Sequence, residues 1–124
     1  MFEITSETSF AAAHRLRNYD GPCENVHGHN WLVRATVRCE KLNDIGIAID
    51  FKTLKQHLAA IVAELDHTDL NTVFDERSEN PSSENVARHI YRALEKKLAS
   101  SACRPWQVEV FETPGNGAAY FEHA

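Results

Sequence analysis

The stretch HGHNWLVRATVRCE, residues 27–40, carries the clearest alternation of apolar and polar side chains in the chain. From Trp31 onward every second residue is apolar, and most residues between them are polar or charged. Side chains of a strand point alternately to its two faces, so this period of two predicts a strand over residues 30–40 with one face in the core. His27 and His29 share the parity of Trp31, so we expect both imidazoles to point toward the same side.

A second alternation lies upstream, over residues 2–14, and predicts another half-buried strand. His14 has the apolar parity of that strand. If the two strands pair as antiparallel neighbours across the loop of residues 15–26, His14 approaches the pair formed by His27 and His29. A loop of that length is itself a sign of function.

Two helices are predicted in the middle of the chain. Asp50 can cap the first, which should end near Asp66 and His67, and the turn Asn80–Ser83 can start the second, which should reach about Ala99. Apolar residues recur in each at helical spacing: Phe51, Leu54, Leu58, Ile61, Val62 and Leu65 in the first, and Val86, Ile90, Leu94 and Leu98 in the second.

The C-terminal region alternates again over residues 107–112, turns at residues 114–117 and can return over residues 118–122. The element order is therefore ββααββ. Strands at both ends of the chain around two central helices predict an α+β domain, in which two helices cover one face of a four-stranded antiparallel sheet. We expect a single domain over residues 1–124.

Composition narrows the class of protein. The 124 residues hold 13 Lys and Arg against 18 Asp and Glu, and this net charge of −5 argues against nucleic-acid binding. No apolar run is long enough to span a bilayer, and the N-terminus lacks the pattern of a signal peptide. The three cysteines include no CxxC pair, so a disulfide framework is improbable and a cytoplasmic location is favoured. We expect Cys39 and Cys103 to be buried as small apolar groups.

Three imidazoles that converge on one point would form a metal site. Neutral imidazole is a good zinc ligand, and three protein ligands with an open fourth position are typical of catalytic zinc. Cys23 leaves two possibilities open. Its thiolate could close the site as a fourth ligand, which would make the zinc structural, or it could lie beside the metal as a base.

Two further groups are candidates for chemistry. Glu112 has the parity of an apolar strand face, so its carboxylate either points inward toward a ligand with paired N–H donors or turns to solvent at the strand end. Asp66 and His67 adjoin at the end of the first helix, where they could relay protons or could serve only as capping groups.

These features occur together in one known family. Six segments, in this order, carry the match: AAAHRL (11–16), CENVHGHN (23–30), IDFKTLK (49–55), LDHTDLN (65–71), NPSSENVA (80–87) and FETPGNGAAY (111–120). Over nearly its whole length the chain resembles the 6-pyruvoyltetrahydropterin synthase family. The spacing Cys-x3-His-Gly-His resembles the 6-carboxy-5,6,7,8-tetrahydropterin synthase branch, which serves queuosine biosynthesis.

The resemblance implies a tunnelling fold (T-fold), in which ββααββ subunits form trimeric barrels and two trimers stack as a homohexamer with active sites between subunits. It implies one Zn²⁺ per subunit and conversion of 7,8-dihydroneopterin triphosphate to 6-carboxy-5,6,7,8-tetrahydropterin, acetaldehyde and triphosphate. It assigns a role to each candidate residue: His14, His27 and His29 as zinc ligands, Cys23 as the catalytic base, Asp66 and His67 as the proton relay, and Glu112 as the pterin anchor.

Two other functions fit the same residues. A 6-pyruvoyltetrahydropterin synthase would use the same metal but keep the side-chain carbons, and a zinc-stabilised module would bind pterins without turnover. For the triphosphate, the nearest cations in sequence to the histidines are Arg15 and Arg17.

Overall fold

The computed structural model of the chain describes residues 1–21, 25–74 and 79–123. Four long strands and two long helices account for most of it, and a very short strand and helix lie between the long helices. In chain order the elements are β1 (Phe2–His14), β2 (His27–Cys39), α1 (Phe51–Ala63), β3 (Thr68–Asp69), α2 (Leu70–Val73), α3 (Ser83–Lys97), β4 (Cys103–Thr113) and β5 (Asn116–Tyr120).

The strands form one sheet in the order β3-β1-β2-β4-β5. The four long strands are antiparallel neighbours, as predicted, and the α+β fold class is confirmed. The fifth strand, β3, was not predicted. It runs parallel to β1 and pairs only with Ala12 and Ala13. A strand of two residues is too short to show a period of two in the sequence, and for this reason it was missed.

The core lies between one face of the sheet and the two long helices. Trp31 is fully buried there, its ring stacks on Phe10 at 5.7 Å between centroids, and its Nε1 donates to the Ala12 carbonyl at 3.1 Å. The rest of this face of β2 is equally closed to solvent and packs with the apolar residues of the helices: Val33, Ala35, Val37, Leu54, Leu58, Val86, Ile90 and Leu94.

Both long helices begin at the predicted caps. Asp50 accepts from the backbone N–H of Lys52 at 2.8 Å, and Ser82 accepts from that of Asn85 at 3.2 Å. After α1 the chain leaves the helical conformation at His67, whose φ of 58° is left-handed. Among the described residues, none of the helices is both long and apolar enough to cross a membrane.

The opposite face of the sheet carries charged side chains that pair across strands. Arg34 on β2 contacts Glu7 at 2.6 Å and Glu109 at 3.0 Å. Arg38 pairs with Glu3 at 2.7 Å, and its guanidinium carbon lies 3.3 Å from the ring centre of Trp106. These are partly exposed ion pairs, so each adds little to stability in water.

The expectation for Cys39 and Cys103 was wrong in one respect. Both are buried, as predicted, but they are joined as a disulfide rather than present as free thiols. They lie directly opposite each other on β2 and β4, with Cα atoms 4.5 Å apart. This is within the range of a disulfide. The 64 residues between them hide that register in the sequence.

Candidate metal centre and ligand site

The three candidate histidines meet at one end of the sheet. His14 is the last residue of β1 and pairs in register with His27, the first residue of β2. Ring centroids are 4.6 Å apart for His14 and His27, 5.2 Å for His14 and His29, and 4.8 Å for His27 and His29. Trp31 closes the inner side, with its ring 4.8 Å from that of His14. The three imidazoles therefore point to the same side of the sheet, as the parity of their positions predicted.

Backbone carbonyls orient two of the rings. The Nδ1 atom of His14 lies 2.7 Å from the carbonyl oxygen of Pro81, and that of His27 lies 2.6 Å from the carbonyl oxygen of Asn25. Each carbonyl can only accept, so Nδ1 carries the hydrogen and Nε2 keeps a free lone pair. Histidines that bind a metal through one ring nitrogen typically donate the N–H of the other to a carbonyl, a carboxylate or water.

Two of the remaining ring nitrogen atoms have no hydrogen-bond partner among the described residues. Nε2 of His14 and Nε2 of His29 are both buried without a hydrogen bond. The candidate ligand atoms of the three rings, including His27, lie within 4.8 Å of one another. Buried polar atoms are rarely left unpaired in native proteins, so a shared cation is the simplest partner for them. On this test the donor set fits a divalent metal.

Electrostatics favour the metal-binding form of the rings. Burial lowers the pKa of His14, although the Pro81 carbonyl and the Glu112 carboxylate oppose the shift. Burial also lowers the pKa of His29, again against the pull of Glu112. Both rings are therefore held in the neutral state at pH 7, and only neutral imidazole binds a metal.

Glu112 points inward beside this cluster. Its Oε2 lies 3.6 Å from Nε2 of His29, and its Oε1 accepts a hydrogen bond of 3.1 Å from the hydroxyl of Ser83, the first residue of α3. The Glu112 side chain keeps 25% of its exposure, so the carboxylate is open on one side. This is the inward one of its two predicted orientations, with an acceptor edge free for an incoming ligand.

Asp66 and His67 form a pair, but they lie beside a different part of β1. The two side chains are 2.9 Å apart, and Asp66 also accepts from the backbone N–H of Ala11 at 2.9 Å. The Ala11 hydrogen bond, followed by that of His67, lowers the pKa of Asp66. Ala11 precedes His14 by three residues, about 10 Å along a strand, and it adjoins Ala12, which pairs in register with His29. The His67 side chain is 82% exposed and points away from the body of its own chain.

Two other predicted features have different outcomes. Cys23, the predicted base, lies outside the described residues, so its position relative to the histidines is untested. Gly28 lines a recess of about 300 Å³ together with His29, and a Cβ at Gly28 would meet only the carbonyl oxygen of Ala12, at 3.9 Å. The fold therefore does not need glycine there, which leaves the space to a ligand.

Sequence reasoning missed the contribution of the turn before α3. We interpreted Asn80–Ser83 as a turn and a helix cap, but the same turn supplies the Pro81 carbonyl to His14 and the Ser83 hydroxyl to Glu112. The proline carbonyl leaves no mark in a sequence pattern. The second serine was a usable signal, because only one hydroxyl is needed for the cap.

Comparison with known proteins agrees with this geometry. The sequence profile of the family described as 6-pyruvoyl tetrahydropterin synthase matches residues 3–123. A 6-carboxy-5,6,7,8-tetrahydropterin synthase from Synechocystis is 36% identical over 98% of this chain and 94% of its own. The enzyme of the same name from Bacillus subtilis is 34% identical over 96% of this chain and 84% of its own.

Solved structures show the same fold. The 6-pyruvoyl tetrahydropterin synthase of Caenorhabditis elegans superposes with a TM-score of 0.85 at 26% identity, covering 98% of this chain and 96% of that one. The predictions of the T-fold and of an enzyme of the 6-carboxytetrahydropterin synthase type are confirmed. By sequence and by fold, the chain belongs to the 6-pyruvoyl tetrahydropterin synthase family.

Proposed function

We propose that the chain is a zinc-dependent lyase that converts 7,8-dihydroneopterin triphosphate and water to 6-carboxy-5,6,7,8-tetrahydropterin, acetaldehyde and triphosphate, as a step of queuosine biosynthesis. The observation that carries this proposal is the convergence of three imidazoles, with buried Nε2 atoms of His14 and His29 that make no hydrogen bond, beside the open carboxylate of Glu112. Relatives named 6-carboxy-5,6,7,8-tetrahydropterin synthase support the choice of reaction.

His14, His27 and His29 would hold one Zn²⁺. When bound, the ion lowers the pKa of substrate hydroxyls and stabilises negative charge that develops on oxygen. The residues around it keep the rings fixed, since Pro81 and Asn25 hold the hydrogens of two rings on the side away from the shared centre. An all-imidazole site also accepts other late first-row metals, so the metal itself needs measurement.

Glu112 is proposed to bind the pterin. A pterin ring presents two parallel N–H groups on its amidine edge, and an ionised carboxylate accepts both at once. The Ser83 hydroxyl occupies Oε1 from one side and limits rotation of the carboxylate. This contact fixes the plane of the ring and therefore the distance between the reacting side-chain carbon and the metal centre.

Cys23 is proposed as the base that removes a proton from the substrate, and Asp66 with His67 as the pair that returns one. Asp66 is held by the backbone N–H of Ala11, and the ring of its partner His67 is 82% exposed. That exposed ring is available to a neighbouring subunit. We therefore propose that active sites lie between subunits, in the homohexamer, a dimer of trimers, that the family resemblance implies.

An activity assay with product analysis tests the proposal. We expect purified, zinc-loaded protein to release acetaldehyde from 7,8-dihydroneopterin triphosphate, with one zinc per subunit by elemental analysis. A 6-pyruvoyl product without acetaldehyde would favour the sister enzyme, the reaction named for the solved C. elegans structure. Protein that holds no metal after loading would contradict the three-histidine centre.

Replacing the proposed pterin anchor gives the first prediction. We expect Glu112→Gln to weaken pterin binding by about 2 to 5 kcal/mol, because an ionised acceptor of two donors becomes a neutral amide with one mismatched edge. Calorimetry with a non-reacting pterin measures this effect. Glu109→Gln, three residues earlier on β4 and on the opposite face beside Arg34, is the matched control and should bind normally. Equal affinity of both variants would refute the anchoring role.

The variant Cys23→Ala separates an enzyme from a binding module. If residue 23 is the base, the variant keeps zinc and loses turnover. If its sulfur closes the metal site, the variant loses metal and stability together. Elemental analysis and a melting curve on the same sample distinguish the two outcomes.

A further inference from the structure

The chain just beyond the metal-binding end of β1 is held by side chains in place of a partner strand. The amide of Asn71 accepts from the backbone N–H of Arg15 at 2.8 Å and donates to its carbonyl oxygen at 3.1 Å. Asn80 makes the same pair of contacts with Arg17, at 2.9 Å each. Two amide side chains thus fix the backbone of two arginines that follow His14.

The guanidinium groups of these arginines have different amounts of free donor capacity. Arg17 donates from Nε to Asn80 at 3.2 Å and from Nη2 to the carbonyl of Glu79 at 2.7 Å, which orients its fork. Arg15 is exposed and makes no side-chain hydrogen bond or ion pair with the described part of the chain. An arginine with a fixed backbone and a full set of unused donors is a good anion ligand.

A cavity of about 290 Å³ lies between these groups. Its lining consists of Arg15, Arg17, Asn71 and Thr72, which supply two positive charges, a hydroxyl and no carboxylate. Asp69, the acidic residue of the same segment, accepts from the backbone N–H of Asn71 at 3.0 Å and caps α2. The chain as a whole carries a net charge of −5, so two adjacent arginines around an open cavity are a local exception.

We propose that this cavity binds the phosphate tail of the pterin substrate, with Arg15 as the main phosphate ligand and Arg17 as its oriented partner. This inference rests on the proposed function. In 7,8-dihydroneopterin triphosphate the phosphates begin one carbon beyond the side-chain hydroxyls. If the hydroxyls lie at the three-histidine centre, the cations must lie close to a metal-binding residue. Arg15 directly follows His14, with consecutive Cα atoms about 3.8 Å apart.

Binding of two matched ligands tests the site. The probes are neopterin triphosphate and neopterin, which are fluorescent, oxidised pterins with and without the phosphates, and fluorescence anisotropy measures their affinity for zinc-loaded protein. We expect Arg15→Gln to weaken neopterin triphosphate about 10- to 100-fold, the range for a lost charge-assisted contact, and to leave neopterin unchanged. Arg15→Lys should recover part of the loss, because it keeps the charge without the fork.

Lys52→Gln, an exposed cation at the start of α1, is the control and should bind both probes normally. Elemental analysis after each titration shows that the phosphates have not removed the zinc. Equal loss of both probes in Arg15→Gln, or no loss of either, would overturn the phosphate site while the proposed function stands. If neither probe binds the unmutated protein but inorganic triphosphate does, and only with Arg15 present, the anion site stands and the proposed function fails.

Discussion

The two halves of strand β2 share one face of the sheet but have opposite chemistry. From Trp31 to Val37 that face is fully closed to solvent and purely apolar. At His29 and His27, which lie one and two positions of the same parity before Trp31, it carries imidazoles that keep part of their exposure. The difference is made by what covers them: helices pack on the apolar half, whereas the other half ends at a loop and at the turn before α3.

This contrast shows which part of the sheet can bind a ligand. In the apolar half, the buried polar side-chain atom is Nε1 of Trp31, and it donates to the carbonyl oxygen of Ala12. In the imidazole half, which His14 at the end of β1 completes, His14 and His29 each bury a ring nitrogen without a hydrogen-bond partner among the described residues. A buried polar atom without a partner lowers the stability of the folded state by about 1 to 3 kcal/mol. A metal that binds these nitrogen atoms in the folded state can offset that loss.

The largest effect is expected from breaking the apolar half. Trp31→Ala should lower the free energy of unfolding by about 3 to 5 kcal/mol, because a fully buried ring that stacks on Phe10 is replaced by a cavity. Urea denaturation followed by circular dichroism measures this. Trp106→Ala, on the opposite face beside Arg38, is the control with a smaller expected loss. Similar losses at both tryptophans would contradict the picture of a one-sided core.

An intermediate effect is expected from breaking the imidazole half. His14→Ala should weaken zinc binding by more than about 100-fold, since loss of a neighbouring contact alone costs 10- to 100-fold at metal sites. Competition with a fluorescent zinc chelator gives the affinity. His57→Ala, on α1 and outside the cluster, should bind zinc normally. If His14→Ala retained full affinity, the metal would have to be bound elsewhere.

The smallest effect on stability is expected at Asp66, which lies outside β2 and contacts β1 at Ala11. Its carboxylate accepts from Ala11 and pairs with His67, and these contacts lower its pKa below the ordinary value of about 3.9. A carboxyl group whose pKa is lower in the folded state than in the unfolded state stabilises the fold at any pH above the unfolded-state pKa. That stability is lost as the pH falls through the folded-state pKa. Asp66→Asn should therefore be less stable than the unmutated protein at pH 7, by an amount that shrinks below about pH 4.

Melting temperatures across pH 3 to 7 would measure the Asp66 effect. The exposed Asp44 provides the control variant Asp44→Asn, which should follow the unmutated protein at every pH. A constant difference between Asp66→Asn and the unmutated protein across this range would mean that shape, and not charge, is what Asp66 contributes.

The sequence was most informative where a pattern had a strict period. Alternation over residues 27–40 identified β2 and the side of His27 and His29. The cap at Asp50 and the turn Asn80–Ser83 located the starts of the two long helices. Parity made the inward orientation one of two possibilities for Glu112, and the structure has that one. In each case a side chain's direction follows from its distance along one element, which the sequence states directly.

What the sequence left out depends on contacts between elements. The Pro81 carbonyl reaches His14 across 67 positions, and the Asn71 and Asn80 amides reach Arg15 and Arg17 across 56 and 63. No local pattern encodes such pairs, because each side chain is unremarkable in its own segment. The position of the segment after α1 was likewise hidden, because it depends on the pairing of the short parallel strand β3 with β1.

The bond between Cys39 and Cys103 has a consequence for chain connectivity. It closes a covalent ring from the end of β2 to the start of β4, and all three helices, Asp66 and Pro81 lie within that ring, whereas His14 and Glu112 lie in the two tails outside it. A protease that cuts once inside the ring would leave both fragments attached to each other. Separation of those fragments on a gel would then require a reducing agent.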